Sequence, residues 1–85
     1  MEAIIQIRCS LFARYAELAG CDSITVDVPE GATVEAAVAA VRERMPNGEQ
    51  LPDRPMVAVN LEHAMPGTKL RQGDELALLP PLAGG

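Results

Sequence analysis

Few residues here are of the types that carry covalent chemistry, and most are badly spaced for it. Cys9 and Cys21 are the only cysteines, and His63 is the only histidine. The two thiols lack C-x-x-C spacing, and with one imidazole they do not complete a tetrahedral zinc site. Cys9 falls in phase with the apolar residues of an alternating run and reads as packing, Cys21 follows Gly20 in a turn, and His63 has no nucleophile or base near it in sequence. No Gly-rich loop is present to cradle a phosphate. The remaining candidate is the end of the sequence, Leu79-Pro80-Pro81-Leu82-Ala83-Gly84-Gly85. A free α-carboxylate at Gly85 has a reference pKa of about 3.3–3.7 and is ionised at neutral pH. Such a group is a charge that an extended tail could carry into a partner's pocket.

Three features of the tail suit that chemistry. Pro80 and Pro81 have no N–H, so they cannot continue a ladder inside a sheet, and the residue before each is pushed to extended backbone. The side chains then shrink from Leu82 to Ala83 to Gly84 and Gly85. A segment without Cβ atoms enters a slot too narrow for other residues. Six extended residues, 80–85, reach roughly 20 Å at about 3.3–3.6 Å each, far enough to place the carboxylate in another protein's pocket. An extended, flexible tail over 80–85 is therefore expected on a single domain spanning 1–85.

The elements that must hold this tail are legible in the periodicity. Ala3, Ile5, Ile7, Cys9 and Leu11 alternate with polar residues, the period of a half-buried strand, with Ile4 breaking the pattern toward the second face. Ala13 to Ala19 has helix-forming composition and ends at Gly20, a plausible left-handed cap. Ile24, Val26 and Val28 predict a second strand, closed by the turn Pro29-Glu30-Gly31. Thr33 is a good N-cap, Glu35 suits the positive helix start, and Val34, Val38, Val41 and Met45 form one apolar stripe. Pro46-Asn47-Gly48 stops that helix, and Gly48 to Pro55 reads as an exposed loop. Met56 to Val59, a short segment around His63 to Met65, and Glu75 to Leu79 complete the strands, with Leu70 as an isolated anchor. The last strand is nearly all apolar, which predicts a central place in its sheet. Strands with one principal helix on one face make an α+β domain.

Composition narrows the function classes. The chain has 85 residues, 48% of them hydrophobic, with Phe12 and Tyr15 the only aromatics. A domain of this size has one modest core and little room for an enclosed active site. Net charge is −5, from twelve acidic and seven basic residues. With no basic footprint, nucleic-acid binding is not expected. No apolar run approaches the ~18 residues of a membrane span and no leader is evident, so a cytoplasmic protein off the membrane is expected.

The stretch Gly73-Asp74-Glu75-Leu76-Ala77-Leu78-Leu79-Pro80-Pro81-Leu82-Ala83-Gly84-Gly85 resembles the C-terminus of the small subunits of molybdopterin synthase. Leu11-Phe12-Ala13, Glu17-Leu18, Thr33-Val34 and Val57-Ala58-Val59-Asn60 agree with it, so the resemblance spans essentially the whole chain. It implies a ubiquitin-like β-grasp: a mixed sheet of four to five strands, one main helix on one face, and a short helix after strand one. It further implies a sulfur carrier in molybdenum cofactor biosynthesis. In that scheme an E1-like adenylating enzyme spends ATP on the Gly85 carboxylate, a persulfide donor supplies sulfur, and the Gly85 thiocarboxylate passes it to a pyranopterin precursor. Gly84 and Gly85 would be the reacting end, and the large synthase subunit would hold the catalytic residues in a hetero-oligomer. No cofactor would be bound by this chain, which would be a sulfur-donating subunit without a complete active site. Phe12, Leu79, Pro80, Pro81, Leu82 and Ala83 would touch the partner, although Phe12 is equally at home in the core. Carriers for thiamine or tRNA thiolation share this fold, and a ubiquitin-like binding module with an inert tail is a third reading.

Overall fold

The computed structural model describes residues 3–52 and 54–80. The expected calls on Pro81, Leu82, Ala83, Gly84 and Gly85 lie outside the described residues. In chain order come β1 (Ile4–Leu11), α1 (Ala13–Ala19), β2 (Ser23–Pro29), α2 (Val34–Arg44), a 3₁₀ turn (Gly48–Gln50), β3 (Met56–Val59), β4 (Glu62–Ala64) and β5 (Glu75–Leu79). The strands make one sheet in the order β2-β1-β5-β3-β4. β5 lies in the middle, parallel to β1 and antiparallel to β3. This is the α+β, five-stranded mixed β-grasp that the resemblance implies.

Alternation sets which face each strand buries. Ile5, Ile7, Cys9 and Leu11 of β1 join Val26 and Val28 of β2, Val57 of β3, and Leu76 and Leu78 of β5 in one cluster. α2 lies over that face and contributes Val34, Ala37, Val38 and Val41, while Met45 closes the stripe. Burying one such aliphatic side chain fully contributes about 1.5–3 kcal/mol. The Thr33 hydroxyl accepts from the Ala36 N–H at 3.3 Å, which caps the helix as the sequence suggests. The start of α2 is held from outside too. Val34 N–H donates to the Thr68 carbonyl and Leu70 N–H to the Ala32 carbonyl, each at 2.8 Å. Leu70, the isolated anchor, is thereby buried. Gly20 ends α1 at φ 74, with its N–H on the Ala16 carbonyl.

Two expectations need correction. The fourth strand runs over Glu62–Ala64 rather than His63 to Met65, because the ladder with β3 pairs Val59 with Glu62 and closes the turn early. The segment after α2 is not simply exposed loop. Asn47 turns left-handed at φ 59 and its side-chain amide donates to the Leu18 carbonyl at 3.0 Å. That bolt folds the 3₁₀ turn onto the helices and drives Leu51 into the core at 2% exposure. Gly48 is required there: a Cβ would sit 1.9 Å from the Arg42 carbonyl oxygen.

Candidate functional site

The root of the tail is fixed from both sides. β5 pairs Leu78 with Leu11 of β1 and with Val57 of β3. Its Leu76 and Leu78 face the helix and are buried, so Ala77 and Leu79 take the opposite, uncovered face by alternation. The strand ends at Leu79, and Pro80 follows half-buried. Pro80 has no N–H to continue the ladder. The double proline therefore does what its chemistry requires at its first member.

The registers lay out that uncovered face as transverse rows. Met56 pairs with Leu79, and one step beyond the Leu11–Leu78 pair Phe12 comes to the same level. Phe12 is 47% exposed, which decides against its filling the core. Phe12 is extended, and Ala13 takes φ 49 to start α1. A non-glycine in the left-handed region costs roughly 1–2 kcal/mol, and such strain gathers where function over-determines the backbone. The next row is small at its centre: Ser10 pairs with Ala77, Ala77 with Ala58, and Ala58 with the exposed His63 of β4. Below it the face becomes charged, with Arg8 opposite Glu75. An apolar rim at the tail's exit thus grades into a floor of small side chains and then into charge.

The other candidates are placed away from chemistry. Burial pushes the Cys9 thiol up to about 12, so at neutral pH it is a protonated, inert packing group. Burial also raises the Tyr15 phenol. Cys21 is a free, exposed thiol and His63 is exposed on the edge strand β4. Among the described residues, no group of His, Cys, Asp and Glu could hold a metal ion. A cleft between α2 and β3, lined by Val34, Glu35, Val38, Arg54 and Pro55, has about 20 Å³, room for one water. No helix of the described residues is long and apolar enough to cross a membrane.

Of the partner-binding candidates, the structure brings together Phe12, Leu79 and Pro80 at one end of β1 and β5. Sequence reasoning missed Met56, which is 51% exposed beside Leu79. Its signal was present in the parity of β3, where Met56 is out of phase with buried Val57. Which strand would lie next to it was not.

Comparison with known proteins matches residues 9–85 to the ThiS family model. The chain is 31% identical over 81 residues to the molybdopterin synthase sulfur carrier subunit of Arabidopsis thaliana, covering 95% of this chain and 84% of that one. It is 41% identical over 83 residues to small archaeal modifier protein 1 of Haloferax volcanii, covering 88% and 95%. A crystal structure of that Haloferax protein superposes with a TM-score of 0.84 at 39% identity, covering 94% of this chain and 99% of the other.

Proposed function

The chain belongs to the ThiS family, and from that premise we propose that it is the sulfur-carrier subunit of a molybdopterin synthase, working in the cytoplasm. The supporting observation is the placement of β5: a strand paired on both sides delivers Leu79 and Pro80 beside an exposed apolar rim, with Gly84-Gly85 following after Pro81-Leu82-Ala83 in sequence. Curated relatives with the sulfur-carrier name, including one 30% identical that pairs end to end with this chain, support the same reading.

The chemistry follows from what a terminal carboxylate lacks. Its oxygen attacks the α-phosphorus of ATP on an E1-like adenylating enzyme, pyrophosphate leaves, and a mixed anhydride with AMP forms at Gly85. The outer sulfur of a persulfide donor attacks the activated carbonyl and AMP departs. A thiol then reduces the acyl disulfide and releases the thiocarboxylate. Thiocarboxylate sulfur is a better nucleophile than carboxylate oxygen at neutral pH, by the logic that favours thiolates. Docked on the large synthase subunit, which supplies the catalytic residues, the tail passes sulfur to the pyranopterin precursor. Phe12, Leu79, Pro80, Pro81, Leu82 and Ala83 contact that partner, and Gly84 and Gly85 enter its slot. ATP binds the activating partner and this chain holds no cofactor.

Intact mass after incubation with the activating enzyme, ATP and a persulfide donor tests this. Gly85 should exchange one oxygen for sulfur, and a chain lacking Gly84-Gly85 should not. Sulfur found elsewhere on the chain, or full cofactor synthesis by the truncated chain, would end the reading. Restoration of molybdoenzyme activity in a deletion strain, with thiamine synthesis and tRNA thiolation intact, separates it from sulfur carriage in those pathways.

A second reading is favoured by the Haloferax relative, which is named as a modifier and has the higher identity of the two relatives compared above. The same activated Gly85 carbonyl would then be captured by a lysine amine of another protein, releasing AMP and forming an amide. Recovery of Gly85–lysine peptides from cells expressing the chain tests it.

A further inference from the structure

We propose that Asn47-Gly48 is a modification site, where loss of the Asn47 side-chain amide as ammonia unbolts the 3₁₀ turn from α1. Of the two asparagines, Asn60 is followed by Leu61 and Asn47 by Gly48. A following glycine has no Cβ to keep its peptide nitrogen away from the asparagine side chain, which makes this pair the labile one. The fold needs both of its members. Asn47 stands at φ 59 and ψ 24, a left-handed position that asparagine tolerates better than most residues. Its amide nitrogen donates to the Leu18 carbonyl at 3.0 Å. Gly48 is buried, and a Cβ there would collide with the Arg42 carbonyl oxygen, so no larger residue takes its place.

The step needs only this chain and water. The Gly48 nitrogen, its proton passed to hydroxide, attacks the Asn47 side-chain carbonyl carbon. A new C–N bond closes a cyclic imide, the old one breaks, and ammonia leaves. Water then opens the ring at either carbonyl, giving aspartate or isoaspartate, so the sum is one amide hydrolysed. The folded chain holds this back. Ring closure needs the Asn47 ψ turned well away from 24, against the Gln50 N–H on the Asn47 carbonyl and the Leu51 N–H on the Gly48 carbonyl, each at 3.0 Å. The rate therefore follows how often the turn opens. Asn47 is exposed, so hydroxide and water reach it whenever it does. Neither product restores the bolt. A carboxylate has no N–H for the Leu18 carbonyl and meets it acceptor to acceptor. Isoaspartate also adds a methylene to the main chain beside the close fit of Gly48 on Arg42. Leu51 then loses the turn that buries it, and the change runs one way.

Storage of the chain in mildly alkaline buffer, with and without unfolding urea, tests the site by peptide mapping of both asparagines. In urea Asn47 should lose its amide well before Asn60. Folded, it should do so at least about tenfold more slowly than in urea. The converted fraction, separated by ion exchange for its added negative charge, should unfold at a lower urea midpoint than fresh chain. N47D should share that lower midpoint, and N47G, with no amide to lose, should keep its own midpoint through storage. Conversion of folded Asn47 within about twofold of its rate in urea would overturn the control by the turn. Wild-type midpoints for the converted chain and N47D would overturn the bolt. Loss at Asn60 ahead of Asn47, or a fall in stored N47G equal to that of the wild-type chain, would remove the site.

Discussion

Replacing Leu61 by glycine should stabilise the protein, although it deletes a large side chain. Val59 pairs with Glu62, so Asn60 and Leu61 form a two-residue hairpin turn, and both take left-handed backbone, at φ 49 and φ 72. Such turns favour Asn-Gly because both central residues need positive φ. A leucine held there costs roughly 1–2 kcal/mol. Its side chain is 97% exposed, so removal forfeits almost no burial. Against this, glycine adds unfolded-chain entropy worth about 0.4–1 kcal/mol. The net gain is about 0.5–1 kcal/mol, a rise in Tm of roughly 2–8 °C for a domain of this size. Thermal melting by circular dichroism, paired with urea titration, reads it, and the urea slope should not change. Leu61→Val should move the other way, since a branched Cβ suffers most at positive φ. A Tm for Leu61→Gly at or below wild type would show that the turn stores no such strain, and the reasoning would fail with it.

Two other predictions concern the same turn and the buried thiol. Asn60→Ala should destabilise by about 1–3 kcal/mol, because the Asn60 amide donates to Asp74 Oδ1 at 3.0 Å and its oxygen accepts from the Glu75 N–H at 3.1 Å. Asn60→Gly, which keeps the backbone geometry and loses only those bonds, should fall between Asn60→Ala and wild type in urea midpoint. Cys9 makes stability pH-dependent on the alkaline side: its folded pKa is about 12 against 9.0 unfolded, so its contribution is whole below pH 9 and is lost as pH rises toward 12. At pH 10 the loss is about 1.4 kcal/mol, read as a fall in urea midpoint between pH 8 and pH 10 that Cys9→Ala lacks. Tyr15, raised by burial as well, adds to the fall only above its own range near pH 10. A matching slope in Cys9→Ala would assign the loss to other groups.

Much of this protein is written in local rules that a reader of the sequence can apply directly. Alternation over Ile5, Ile7, Cys9 and Leu11 and the stripe of Val34, Val38, Val41 and Met45 depend only on the periods of strand and helix, and each of these residues is buried as those periods demand. The end of β5 at Leu79 is equally local, since a proline without an N–H stops a ladder wherever it occurs. What the sequence left open was decided by neighbours distant along the chain. Gly48 and Leu51 enter the core because Asn47 finds the Leu18 carbonyl. Phe12 stays exposed because α2 covers the other face of the sheet, the one that buries Leu11. The row beside the tail exists only because β5 inserts between β1 and β3 and brings Met56 against Leu79. Strand order and register arise from packing the whole apolar set under α2, and no single segment carries that information in its own residues.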